Sequence, residues 1–188
     1  MDQVIAKLHK SRVIFAIQEK QNGTADAVKC AQMPFTNFEG ELFVLCGDMP
    51  LVRGETLQKM LDFHREKGSS ATVMTGILED PAQYGRIVRS DDGEFAEIIE
   101  YADGDDKIRA IKEVNSGTYV FDASELWPAL DQISSDNAQG EFYLTDVMTV
   151  LKNKGKTVAA WKVEDSSELL GVNTPEQLRM AETALKTR

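Results

Sequence analysis

The sequence predicts an α/β fold: a Rossmann-like, doubly wound mixed sheet with an inserted β subdomain. Two observations carry this. Apolar runs without alternation, such as Leu42 to Cys46, suit strands covered on both faces. Between them lie amphipathic stretches with clear helix punctuation, as in "GETLQKMLDFHREKG".

In chain order, "MDQVIAKLHK" places Val4, Ile5 and Leu8 on one helical face, and "RVIFAIQ" reads as a buried strand ending at Gln18. "GTADAVKCAQ" opens a helix at Gly23 and Thr24, with Ala27, Val28 and Ala31 turned inward. "ELFVLCGDMPLV" is a buried strand stopped by Gly47, which leaves Asp48 just past its carboxyl end, where open α/β sheets bind ligands. The next helix presents Leu57, Met60, Leu61 and a packing His64 on one face, and Gly68 caps it.

"SSATVMTGIL" is a strand, and "YGRIVRSDDGEFAEIIEY" is a hairpin turning at Asp91, Asp92 and Gly93. "IKEVNSGTYVFD" is a further strand, "SELWPALDQI" and "LTDVMTVLKNKG" are helices, and "TVAAWKVE" is a strand. In the closing helix, "NTPEQLRMAETALK", Thr174 is the N-cap, Pro175 the first helical residue and Gln177 the partner in a capping box, so Asn173 is held at a helix start.

Composition narrows the function. At 188 residues, 42% hydrophobic and 28% charged, one globular domain spanning 1–188 is expected. A net charge of -10 argues against a nucleic-acid surface, which needs basic residues to neutralise phosphates. Cys30 and Cys46 lack metal-ligand spacing, and no apolar run is long enough for a membrane span or a signal peptide, so a cytoplasmic location is expected.

The stretches "QEKQNGTADAV", "LCGDMPLV", "DPAQYGRIVR", "EIIEYADGDD", "EVNSGTYVFD", "NAQGEFYLTDVM" and "GVNTPEQL" follow one another in an order that resembles the sugar nucleotidyltransferases. Among these, the chain is most similar to the uridylyltransferases that act on N-acetylglucosamine 1-phosphate. The resemblance implies a Mg²⁺-dependent reaction of UTP with N-acetylglucosamine 1-phosphate to give UDP-N-acetylglucosamine and pyrophosphate. It assigns Asp48 and Asn173 to the Mg²⁺, Gln18, Gly23 and Thr24 to the nucleotide, and Gly85, Glu100 and Asn115 to the sugar. Tyr84, Thr118 and Tyr143 are secondary candidates.

The physical chemistry agrees: Mg²⁺ keeps few protein ligands beside phosphates and water, and phosphoryl transfer asks mainly for positioning and charge stabilisation. The sequence departs from the uridylyltransferase pattern near Asp26, where a histidine is usual. "GTADA" is shared with adenylyltransferases of glucose 1-phosphate, so adenylyl, thymidylyl or uridylyl transfer to that sugar is the alternative, as is a non-catalytic nucleotide-sugar binding module.

Nothing ahead of Gln18 resembles the family's glycine-rich triphosphate loop and its lysine. The resemblance aligns Met1 with the helix before the third family strand. The first two strands and a C-terminal acetyltransferase domain are therefore expected to be missing, leaving an unpaired edge along the Asp48 strand. Alone, the chain is expected to fold marginally or to pair with itself, with little or no transferase activity.

Overall fold

The computed structural model describes residues 13–187, so the expected first helix lies outside the described residues. Helix α1 (Thr24–Cys30) leads through a short 3₁₀ turn to strand β1 (Glu41–Val44) and helix α2 (Gly54–Lys67). Strand β2 (Ala71–Ile77), the hairpin β3 (Arg86–Arg89) and β4 (Phe95–Ile99), and the single-turn helix α3 (Asp106–Arg109) follow. Strand β5 (Glu113–Asp122) precedes helices α4 (Ala123–Leu130) and α5 (Thr145–Asn153). Strand β6 (Val158–Lys162), a second 3₁₀ turn (Ser166–Leu169) and helix α6 (Pro175–Lys186) complete the described chain.

The strands form one sheet in the order β4-β3-β5-β2-β6, with β1 beside the carboxyl half of β5. Only β2 and β6 run parallel; the other described pairs are antiparallel. The inserted hairpin joins this sheet through the amino end of β5, where Arg86 pairs with Val114. The long β5 thus links β1, β2 and β6 to the insert.

Two cores follow from the alternation of side chains. On one face Val73, Tyr119 and Phe121 pack with Leu126, Leu130, Val147, Met148 and Leu151 of α4 and α5. On the other, Met74, Val114 and Val120 meet Met60 and Leu57 of α2, together with Leu169. His64 is buried in packing, as expected, with Nδ1 2.9 Å from the Thr72 hydroxyl. Gly68 caps α2 in the left-handed region and Gly93 turns the hairpin, both with positive φ.

The expected strand over 12–18 does not form within the described residues: 13–18 carry no regular structure, and Val13, Ile14, Phe15 and Ile17 are exposed. A strand needs a neighbour to satisfy its N–H and C=O groups, and no described strand lies beside this segment. Among the described residues β1 has a strand partner in β5 alone. That strand also ends at Val44, before Cys46, and Leu45 is exposed rather than buried.

Helix α1 turns a different face inward than its pattern suggests. Ala25 is buried and Val28 half-buried, whereas Ala27 is exposed. The cause is the attachment of the helix start to the segment before α5: Ala25 N–H donates to the Phe142 carbonyl and Phe142 N–H donates to that of Asn22.

Candidate active site

Two adjoining cavities open at the carboxyl end of β1. The larger, about 890 Å³, is lined by Asp48, Tyr84, Gly171, Asn173 and Gln177 among others. The smaller, about 380 Å³, is lined by Thr24, Gly85, Glu100, Asn115, Tyr119 and Thr145 among others. Cys46, Gln83, Tyr84 and Ser116 line both, so the two spaces abut along one wall.

Asp48 and Asn173, 125 positions apart in sequence, face each other across Gly171. A Cβ on Gly171 would lie 3.6 Å from Asp48 Oδ2 and 3.5 Å from Asn173 Nδ2, so the glycine keeps the space between them open. Backbone bonds fix both partners. Val172 N–H donates to the Asp48 carbonyl at 2.8 Å, and Asn173 N–H donates to Gln177 Oε1 at 2.8 Å within the capping box that starts α6. Above them the Tyr84 hydroxyl donates to the Leu169 carbonyl at 3.0 Å, and burial pushes the Tyr84 phenol up from its ordinary value. Burial, with the neighbouring Asp48 charge, likewise raises the Cys46 thiol.

The loop that carries Gly171 and Asn173 is anchored by Glu168, a fully buried carboxylate. It accepts from Arg53 Nε at 2.9 Å, from the Arg53 backbone N–H at 2.9 Å and from the Thr56 hydroxyl at 2.8 Å. On the opposite wall the buried Arg86 guanidinium binds the carbonyls of Ala82 at 2.9 Å and of Pro81 at 3.3 Å, and also that of Tyr84. It thereby fixes the segment that presents Gln83, Tyr84 and Gly85. Neither anchor was legible in the sequence, because Arg53 and Glu168 are 115 residues apart and Arg86 sits in an ordinary strand pattern.

In the smaller cavity Gly85, Glu100 and Asn115 do come together. A Cβ on Gly85 would stand 3.0 Å from Glu100 Oε2, so this glycine lets the carboxylate lie over the backbone. Asn115 is buried, and its Oδ1 accepts from Gly117 N–H at 2.9 Å and from the Tyr119 hydroxyl at 3.1 Å. Because a backbone N–H can only donate, the amide oxygen must face Gly117, which leaves Nδ2 as the group for a ligand. This arrangement needs the bulge at Gly117, whose φ of 78° shifts the register of β5 against β2.

Burial raises the Glu100 carboxyl above its ordinary value of 4.5; a hydrogen bond from Thr145 opposes this, and the charges of Asp103 and Asp146 add to it. The sign of the consequence follows from linkage. Without ligand, the group adds stability as pH falls through its raised value toward 4.5, because the folded state holds that proton more tightly. A ligand hydroxyl donating to Glu100 prefers the ionised form, so affinity for a hydroxyl-bearing ligand in this cavity should fall over the same descent, beginning above the ordinary carboxylate range. Calorimetry between pH 7.5 and 5 checks this, with Glu100→Gln expected to give a flat, weaker profile.

The nucleotide candidates form one local cluster beside these cavities. Gln18 Nε2 donates to the Gly23 carbonyl at 3.1 Å and to Asp26 Oδ2 at 2.8 Å. Gly23 has a φ of 114°, and a Cβ there would fall 2.5 Å from the Phe142 carbonyl oxygen, so only glycine fits. The Thr24 hydroxyl accepts from Leu144 N–H at 3.0 Å and lines the smaller cavity. Of the secondary candidates, Tyr84 lines both cavities. Tyr143 is buried with its hydroxyl donating to Gln139 Oε1 at 2.8 Å, and Thr118 is buried in the sheet.

The profile of the nucleotidyl transferase family matches residues 2–167. The bifunctional protein GlmU of Bacillus cereus strain G9842 is 47% identical over 174 residues, which is 93% of this chain and 38% of that protein. The bifunctional protein GlmU of Bacillus velezensis strain FZB42 is 47% identical over 175 residues, again 93% of this chain and 38% of the relative. The chain thus spans 38% of the length of these relatives. A crystal structure from Bacillus anthracis, assigned as a glucose-1-phosphate thymidylyltransferase and holding a sucrose, superposes with a TM-score of 0.74 at 17% identity. It covers 100% of this chain and 73% of its own, and so speaks for the fold. No helix among the described residues is long and apolar enough to cross a membrane.

Proposed function

The chain belongs to the nucleotidyl transferase family, and on that footing we propose that its cavities serve the transfer of a uridylyl group from UTP to N-acetylglucosamine 1-phosphate. The products are UDP-N-acetylglucosamine and pyrophosphate. In this reading the N-acetylhexose occupies the smaller cavity and the phosphates lie in the larger one, over the shared wall of Tyr84 and Ser116. The observation that carries the sugar assignment is the amide of Asn115. With Oδ1 engaged by Gly117 and Tyr119, only Nδ2 is offered, and a donor is what an acetamido carbonyl needs.

The larger cavity favours a cation partner for the phosphates. Asp48, Glu79 and Asp80 line it, and no Lys or Arg is among the described lining residues. A diphosphate therefore enters an acidic space, which is tolerable only with a counter-charge. Asp48 and Asn173 would fit Mg²⁺ once the Asn173 amide, whose Nδ2 faces the gap here, turns its oxygen toward Asp48: one carboxylate and one amide oxygen, with the remaining positions left to phosphate oxygens and water. When bound, Mg²⁺ would offset charge on the phosphates in transfer and on the leaving pyrophosphate. The chain's own share is positioning. Gly85 and Glu100 orient the hexose hydroxyls, Asn115 fixes the acetamido group, and Gln18, Gly23 and Thr24 hold the uridine side.

A ligand panel tests the reading. By calorimetry in Mg²⁺, UDP-N-acetylglucosamine should bind at least tenfold tighter than UDP-glucose, and tighter than ADP-glucose or dTDP-glucose. Equal binding of the two UDP-sugars would overturn the sugar assignment, and preference for ADP-glucose would overturn the uridine assignment.

A further inference from the structure

Asp26 lies where the sequence departs from the uridylyltransferase pattern, and it is hydrogen-bonded to the residue assigned to the base. Gln18 Nε2 lies 2.8 Å from Asp26 Oδ2 and 3.1 Å from the Gly23 carbonyl oxygen. Both neighbours are acceptors, so the atom between them must be the amide nitrogen, and its two hydrogens are both used. What remains of the Gln18 amide is Oε1, an acceptor only. Without Asp26 the amide would have one engaged hydrogen and one free, and its orientation would rest on a single backbone contact.

Asp26 is not used in an obvious helical ion pair. Lys29, one turn further along α1, reaches instead to Asp131 at 2.6 Å. The Asp26 carboxylate is half-buried and directed at Gln18.

We propose that Asp26 is the specificity-positioning residue of the nucleotide site: by locking the Gln18 amide it presents Oε1 alone to the base. The proposal deepens the assignment of Gln18 to the base and rests on it. An acceptor at this point discriminates between the two pyrimidine nucleotides at their third ring position. Uracil carries an N–H donor there, whereas cytosine carries a bare nitrogen acceptor that would face Oε1 lone pair to lone pair. The lock therefore selects uridine over cytidine without touching the nucleotide.

The test measures binding of UDP, CDP and N3-methyl-UDP to the full chain in Mg²⁺ by calorimetry. In the unaltered chain UDP should bind about tenfold or more tighter than both others, the scale of one lost hydrogen bond with a partner left unpaired. In Asp26→Ala the amide is free to turn, and the UDP-to-CDP ratio should fall below about threefold. Asp26→Asn keeps an acceptor oxygen for Gln18 and should restore most of the ratio. A purely structural role for Asp26 in the first turn of α1 would weaken both nucleotides together and leave the ratio unmoved.

An unchanged ratio in Asp26→Ala, with UDP still bound, overturns this inference and leaves the nucleotide site standing. Equal binding of UDP and N3-methyl-UDP to the unaltered chain overturns it too, with no variant needed. Failure of UDP and CDP alike to bind the unaltered chain overturns the nucleotide assignment and this inference with it.

Discussion

Replacing Arg53 with Met should destabilise the fold more than removing its partner's charge does, read as the larger drop in the urea midpoint with little change in the slope. Replacing its partner by Glu168→Gln should cost only about 1–2 kcal/mol. The asymmetry arises from where each partner sits. The Glu168 side chain is 0% exposed, and without the guanidinium its charge is left with the Arg53 backbone N–H and the Thr56 hydroxyl alone. The Arg53 side chain is 45% exposed, so on losing Glu168 it turns into water, and Asp165 stands 4.0 Å away to receive it. Equal costs for the two substitutions would contradict this account of the anchor. Because the anchor holds the loop through Leu169 to Asn173, Arg53→Met should also weaken UDP-N-acetylglucosamine binding in Mg²⁺ under conditions where the variant is still folded.

Asp48→Asn should reverse sign with the metal. In Mg²⁺ the variant should bind UDP-N-acetylglucosamine at least about tenfold more weakly, because an amide oxygen lacks the charge that holds a small hard cation. In EDTA it should bind no more weakly than the unaltered chain, and it should gain affinity if the metal-free diphosphate enters the cleft at all. There the Asp48 carboxylate, together with Glu79 and Asp80, only repels a diphosphate. A loss of equal size with and without Mg²⁺ would assign Asp48 to structure rather than to the metal. Its backbone carbonyl, which accepts from Val172, is untouched by the substitution, so the loop geometry is preserved.

What the sequence revealed was what local chemistry encodes. Gly47 ended an apolar run and placed Asp48 beyond a strand, and the capping box of Thr174 and Gln177 fixed Asn173 at a helix start. Both punctuation signals act within a few residues, so they survive without knowledge of the neighbours. The Gly68 cap and the Gly93 turn were legible for the same reason.

Properties that depend on a distant partner were not legible. An apolar run such as 13–17 reports an appetite for burial but not whether a neighbouring strand is there to pair with it. The inward face of α1 was misjudged because the Phe142 segment, far along the chain, sets how the helix start is docked. Glu168, Arg86 and Thr145 shape the site through contacts that no periodicity announces. The asparagine at 115 stood out as a polar group on an apolar strand, but its orientation needed the bulge at Gly117 to be seen.

The central claim is that the two abutting cavities form one site for a nucleotide sugar. An amide-resolved NMR titration of the full chain with UDP-N-acetylglucosamine in Mg²⁺ tests it most directly. The account predicts that the backbone amides of Gly85 and Gly117, beside the smaller cavity, and of Gly171 and Val172, beside the larger, shift together along one saturating binding curve. Shifts confined to one cavity, two curves of different midpoint, or no shift at millimolar ligand would contradict it.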